Sequence, residues 1–184
     1  MSYRLTTRPD PEPDVRKPQQ LAILALTGGG MRGLFTARIL EELQVIRNAH
    51  TIDTDKHLHK AFDAVAGTSV GSLLAAGLVL EKDPGDIADI FTKYGSTIFP
   101  AYKRPKLFKG RKAWYDNGPL HDVVCELIDD DIRLGNLPNN IVIPTFNEST
   151  GEPVVFSNLN TVHSNKKLID VVMASAAAPI YFPA

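Results

Sequence analysis

Phe62-Asp-Ala-Val-Ala-Gly-Thr-Ser-Val-Gly-Ser-Leu-Leu-Ala-Ala-Gly-Leu-Val-Leu80 holds a Gly-x-Ser-x-Gly pentapeptide, Gly67-Thr68-Ser69-Val70-Gly71, between two apolar segments of unequal length. Ala61 to Ala66 is short and mostly apolar, which fits a buried strand. Val70 to Leu80 is apolar or small, free of proline and long enough for about three helical turns. A strand, a sharp turn and a helix with serine at the apex is the setting in which such a serine acts as a nucleophile. Gly67 and Gly71 would let the backbone take strained angles and let strand and helix nearly touch. Ser69 would then stand at a helix N-terminus, where unpaired amides and the helix dipole favour developing negative charge. Thr68 and Ser72 flank it and are expected to cap or brace that helix. The bare pentapeptide is a weak signal, because it arises often by chance; its flanks strengthen it.

Upstream, Leu21-Ala-Ile-Leu-Ala-Leu26 is a continuous apolar run and predicts a central strand covered on both faces. Thr27-Gly28-Gly29-Gly30-Met31-Arg32-Gly33 follows, and then Leu34, Ala37, Leu40, Leu43 and Ile46 recur at three-residue steps, predicting an amphipathic helix. Strand, glycine loop, helix and strand form a βαβ unit, so the sheet should be parallel with a right-handed crossover. The loop admits two chemical readings. As Gly-x-Gly-x-x-Gly it could cradle a dinucleotide pyrophosphate, with Asp53 on a ribose hydroxyl, although no strand leads to Asp53. Alternatively its amides form an oxyanion hole, worth roughly 3–4 kcal/mol per donor in acyl transfer. Adjacent parallel strands would bring both loops to one edge of the sheet, so the second reading gives both motifs one site.

Downstream, Glu81 to Gly85 breaks the chain and Asp86 to Tyr94 predicts a helix. Ser96 to Asn117 is irregular and interleaves Lys103, Arg104, Lys106, Lys109, Arg111 and Lys112 with aromatic residues. Residues 99–115 are therefore a candidate for peripheral contact with an anionic membrane, against the plainer reading of a solvated loop with its aromatics tucked inward. A helix should start at Pro119 and contain Cys125, expected to be a buried structural thiol. Asn140 to Phe146 and Pro153 to Phe156 predict a hairpin around Asn147-Glu-Ser-Thr-Gly151, and Lys167 to Ala176 predicts a helix closed by Pro179. His57 and His59 lie two apart in a polar loop, lack a regular metal-ligand spacing and read as surface histidines; no metal or other cofactor is expected.

The 184 residues, 43% hydrophobic and 22% charged with net charge −1, suffice for one buried core. That charge speaks against a dedicated nucleic-acid binder. A single cysteine excludes an internal disulfide and suits a reducing cytoplasm. No apolar run reaches the roughly 18–20 residues of a membrane span, and no export signal is visible. Residues 1–20 hold four prolines and read as a flexible tail, leaving 21–184 as one domain.

Gly28-Gly-Gly-x-Arg-Gly33, Gly67-Thr-Ser-Val-Gly71 and Ala174-Ser-Ala-Ala-Ala-Pro-Ile-Tyr-Phe-Pro183 together resemble the patatin-like phospholipases in order and spacing, and Phe99-Pro100 and Gly118-Pro119-Leu120 look like the bacterial branch. The resemblance covers Leu21 to the last residue. It implies a three-layer α/β/α fold with a mainly parallel sheet, FabD/lysophospholipase-like, and a Ser–Asp dyad. By that resemblance Ser69 is the nucleophile, Gly28, Gly29 and Gly30 supply the oxyanion hole, and Arg32, Gly33, Gly67 and Gly71 support the motifs. Arg32 would brace the loop or attract a lipid phosphate; an ordinary loop-bracing ion pair is the equal alternative.

The family's dyad aspartate lies in an Asp-Gly-Gly or Asp-Gly-Ala motif after the Ala-Pro-x-Tyr-Phe-Pro segment, and no aspartate between Met1 and Ala184 precedes either pair. Asp170 has no feature that promotes it to that role. The resemblance thus implies a hydrolase of phospholipid or lysophospholipid esters whose base lies beyond Ala184, with little activity in this segment alone. A nucleotide-binding module on Gly28–Gly33 and a non-catalytic scaffold are the rival readings. Head group, acyl position, oligomeric state and any activator such as a cyclic nucleotide leave no mark in these residues.

Overall fold

The computed structural model of the protein describes residues 21–50, 52, 56–98, 115–179 and 181–182. The expected tail at 1–20, Asp53 and residues 99–114 of the basic-aromatic stretch lie outside the described residues. Strand β1 (Ile23–Leu26) leads through the glycine loop into helix α1 (Gly33–His50), and strand β2 (Ala64–Gly67) leads into α2 (Val70–Val79). Helices α3 (Pro84–Ile98) and α4 (Gly118–Leu127) precede the hairpin of β3 (Asn140–Asn147) and β4 (Glu152–Ser157), and α5 (Leu168–Ala176) follows. The sheet order is β1-β2-β3-β4, with β1, β2 and β3 parallel and β4 antiparallel to β3. This is an α/β architecture with a mainly parallel sheet, as the sequence predicts.

Local chemistry accounts for the boundaries. Asp83 accepts the Gly85 amide at 2.8 Å and Pro84 opens α3, whose first amide would be unpaired in any case. The helix runs on to Ile98, beyond the predicted Tyr94, because Gly95 and Ile98 are buried with it. In the hairpin, the Asn147 carboxamide accepts the Ser149 amide at 3.0 Å and Gly151 takes a φ of 73°, which glycine adopts without steric cost.

All ten residues of α2 are buried. It touches β1, β2 and β3 as well as α1, α3 and α5, so it is the helix around which the core condenses. The sheet face carrying Leu26, Val65, Ile141 and Ile143 packs into that core.

Four expectations need correction. β1 is an edge strand among the described residues, not a central one, and Ile23 is 56% exposed. An apolar run reports the strand's chemistry and not which neighbours cover it. On α1, Ala37 and Leu40 are buried but Leu43 and Ile46 are exposed. A three-residue step falls about 60° short of a full turn, so the row winds off the core face after two steps. Cys125 is exposed rather than buried, with its Sγ 3.6 Å from Nδ1 of His121. α4 turns Leu120, Val123, Val124 and Leu127 inward, which leaves positions 121 and 125 together on the outer face. His59 is fully buried, because the short turn Leu58–Ala61 tucks Leu58 and His59 inward; its Nε2 lies 3.9 Å from Oε1 of Glu81.

Candidate active site

The carboxyl ends of β1 and β2 are neighbours, with Leu26 opposite Gly67, so the two loops that leave them meet. Ser69 stands between β2 and α2 with φ 56° and ψ −127°, a region that non-glycine residues rarely occupy. The sharp turn is possible because backbone passes close on both sides. A Cβ on Gly67 would lie 2.1 Å from the Gly71 carbonyl oxygen, and one on Gly71 would lie 2.2 Å from that of Leu26. The helix start is further pinned by the Gly71 amide on Thr68 O at 2.9 Å and the Ser72 amide on Ser69 O at 2.8 Å. Ser72, fully buried, also donates its hydroxyl to Ser69 O at 2.6 Å, which is the bracing expected of it.

The glycine loop lies against this elbow. A Cβ on Gly28 would come within 3.0 Å of Ser69 Cβ and 3.7 Å of its Oγ. Gly30 takes a φ of 57° and begins a single 3₁₀ turn, Gly30–Arg32, before α1. Among the described residues, the amides of Gly28, Gly29 and Gly30 donate to no other group. Gly33 lets the start of α1 approach α2, since a Cβ there would lie 2.1 Å from Val70 Cγ1. Arg32 is exposed and points its Nε back at the Gly29 carbonyl, 3.5 Å away.

Ser69, Gly29, Gly30 and Arg32 open onto a cleft of about 360 Å³, whose other walls are Val70, Tyr115, Leu120, Ala176, Ala178, Tyr181 and Phe182. Its walls are mainly apolar and aromatic, with Ser69, Gly29 and Gly30 among them. Tyr115 and Tyr181 stack at 6.3 Å, and the Tyr115 amide donates to Tyr181 O at 2.7 Å, joining the approach to α4 with the segment after α5. The described lining of the cleft contains no carboxylate and no histidine. A second groove of about 380 Å³ between α3 and α4 is lined by Lys82, Asp86, Asp89, Lys93 and Glu126 and contains no serine, threonine or cysteine.

Sequence reasoning quoted Ser175 within a motif but assigned it no role. In the structure its hydroxyl accepts the Ser69 amide at 3.0 Å. The sequence signal available was the position of Ser175 at the end of a predicted helix, which says nothing of a partner 106 residues away.

The patatin-like phospholipase profile matches residues 24–184. A cGAMP-activated phospholipase of Vibrio cholerae serotype O1 is 34% identical over 95% of this chain and 52% of its own length. Patatin-like protein 4 of Arabidopsis thaliana is 32% identical over 89% of this chain and 44% of its own length. The chain thus spans about half the length of the curated relatives it matches. Among solved structures, a chain of the ExoU–SpcU complex of the Pseudomonas aeruginosa type III secretion system superposes on 86% of this chain and 36% of its own, with a TM-score of 0.50 at 16% identity. That likeness concerns the fold.

Proposed function

Because this chain belongs to the patatin-like phospholipase family, we propose that it carries the nucleophile and oxyanion-binding half of a lipid acyl hydrolase acting on phospholipid or lysophospholipid esters. The observation that carries the reading is the strained Ser69, with Gly28 packed against it, in the wall of a mainly apolar cleft. Ser69 Oγ attacks the ester carbonyl carbon while the acyl chain lies along the wall formed by Leu120, Tyr115 and Phe182. The carbonyl oxygen becomes an oxyanion held by the amides of Gly28, Gly29 and Gly30, which donate to no other group among the described residues and so need no reorganisation there. Collapse expels the alcohol portion and leaves an acyl-Ser69 ester, which water cleaves.

The hydroxyl proton needs an acceptor, and the described cleft lining offers none. A carboxylate from beyond Ala184, as the family resemblance implies, is assigned that role. A serine hydroxyl without its base is a weak nucleophile, so the 184-residue chain alone is expected to hydrolyse lipid ester at a small fraction of the rate of the polypeptide encoded by the whole reading frame. Arg32, which lines the cleft, is assigned the role of attracting the phosphate of the substrate head group.

The test uses the whole reading frame. A fluorophosphonate is expected to label Ser69, and Ser69→Ala should abolish both labelling and release of fatty acid from phosphatidylcholine or lysophosphatidylcholine vesicles. Undiminished hydrolysis in Ser69→Ala would sink the proposal.

A further inference from the structure

The nucleophile is held from both ends of its backbone by two serine hydroxyls. Ser72 donates to the Ser69 carbonyl at 2.6 Å from within the first turn of α2. Ser175 works from the other side of the fold, accepting the Ser69 amide at 3.0 Å and donating its own proton to the Pro144 carbonyl at 2.7 Å. One hydroxyl therefore ties three elements together: the elbow after β2, strand β3 and the last turn of α5. Its geometry is consistent, because a hydroxyl has one proton to give and lone pairs to receive with. Pro144 is available as acceptor because the parallel ladder from β2 ends at Val142, two residues earlier.

We infer that Ser175 is a positioning residue for catalysis, one that fixes the direction of the Ser69 hydroxyl without touching the substrate. The inference rests on the hydrolase reading above. The backbone at Ser69 lies in a sparsely populated region, and such a conformation persists only where its surroundings over-determine it. Glycine at 67 and 71 permits the turn, and the Thr68–Ser69 peptide is then held at both ends, its carbonyl accepting the Gly71 amide at 2.9 Å. The Ser69 amide sits on that peptide, and Ser175 is what it points at. Ser175 is absent from the cleft lining, whereas its neighbour Ala176 is part of it, so the residue acts through Ser69. The bond has a second consequence. With its amide engaged, Ser69 contributes no donor of its own to an oxyanion, which leaves that task to the glycine loop.

Two measurements on Ser175→Ala, Ser175→Cys and Ser175→Thr test this. In the 184-residue chain, hydrogen exchange of the Ser69 amide should accelerate roughly five- to tenfold in Ser175→Ala, the factor for one lost hydrogen bond. It should accelerate less in the isosteric Ser175→Cys and return towards wild type in Ser175→Thr, which keeps the hydroxyl. In the enzyme from the whole reading frame, Ser175→Ala should lower kcat for phospholipid hydrolysis about 10- to 100-fold with KM within about twofold, as misplacement of a reacting group does. Ser175→Thr should recover most of kcat. An unchanged Ser69 amide, or an unchanged kcat in an enzyme that Ser69→Ala inactivates, would overturn the inference while leaving the hydrolase reading intact. Full activity in Ser69→Ala would instead remove the reading itself, and the positioning role with it. Should Ser175→Ala fail to fold, the same comparisons between Ser175→Cys and wild type decide the matter.

Discussion

Gly67 and Gly71 bracket Ser69, and the reason for each is a backbone oxygen rather than a side chain. Alanine at Gly67 would drive a methyl to 2.1 Å from Gly71 O, and at Gly71 to 2.2 Å from Leu26 O. Neither oxygen can swing away, because both belong to the strand-turn-helix framework. Each substitution is expected to destabilise the fold by about 1–3 kcal/mol or more, read from urea unfolding. Gly118 is the control: its nearest neighbour is Asp116 Oδ1 at 3.6 Å, and Gly118→Ala should stay within about 0.5 kcal/mol of wild type. Gly67 was legible in the sequence because its neighbour, Gly71 O, is local, whereas Gly71 was legible only as part of the pentapeptide, since the oxygen it meets is that of Leu26 on β1. Ser175 was not, because its partner lies 106 residues away and serine at a helix end has many uses. Cys125 and His59 were misjudged for a related reason. Residue type sets an average tendency to be buried, whereas the phase of α4 and the tuck of the Leu58–Ala61 turn decide the individual case.

Helix α5 carries Ser175, so what holds its N-terminus bears on the elbow. Lys167, the residue before the helix, donates to Asp130 Oδ2 at 2.8 Å, while the amides of Leu134 and Leu168 bond to the carbonyls of Lys166 and Ile132. The Lys167 hydrogen bond holds the Asp130 carboxyl below the usual carboxylate range, and Asp130 in turn raises the Lys167 ammonium. A depressed carboxylate means that the folded state binds fewer protons than the unfolded chain in acid. The pair's contribution is therefore complete above the ordinary carboxylate range and is lost as pH falls through the depressed value of Asp130. On the alkaline side it persists until pH rises through the raised value of Lys167. Asp130 is solvent-exposed and Lys167 only half-buried, so the effect is small and screened by salt. Asp130→Asn should lower the melting temperature slightly at neutral pH and low salt, and the difference from wild type should close in strong acid or in concentrated sodium chloride. A difference that persists in strong acid would show that the pair is not its source. At this scale the sequence located every described strand and α-helix. It misjudged α1 only in phase, since a row of three-residue steps looks amphipathic on paper but spirals around the helix.

Among the described residues, the core lies on one face of the sheet and large apolar side chains stand exposed on the other. Ile23 on β1, Phe146 on β3 and Val155 on β4 are 56%, 62% and 51% exposed on the face opposite the core. Exposed apolar surface of this extent binds hydrophobic probes and favours self-association. The isolated chain is expected to enhance the fluorescence of an anilinonaphthalene dye, and the triple substitution of Ile23, Phe146 and Val155 to lysine should suppress that signal without lowering the melting temperature by more than a few degrees. Retention of full dye binding by the triple variant would place the exposed apolar surface elsewhere. Among the described residues no helix is long and apolar enough to cross a membrane. The sequence by itself determined the order of strands and helices, the two glycine loops, the elbow serine and the family, because each of these is written in short-range pattern. Gly-x-Ser-x-Gly needs only its own backbone to be recognisable, and a βαβ unit needs only periodicity. Tertiary structure alone decided that β1 lies at an edge among the described residues, that α2 is buried on every side, and that the Ser69 amide ends on the hydroxyl of Ser175. Those are facts about which distant segments meet, and contact between residues far apart in the chain is fixed by packing the whole core rather than by any stretch of it.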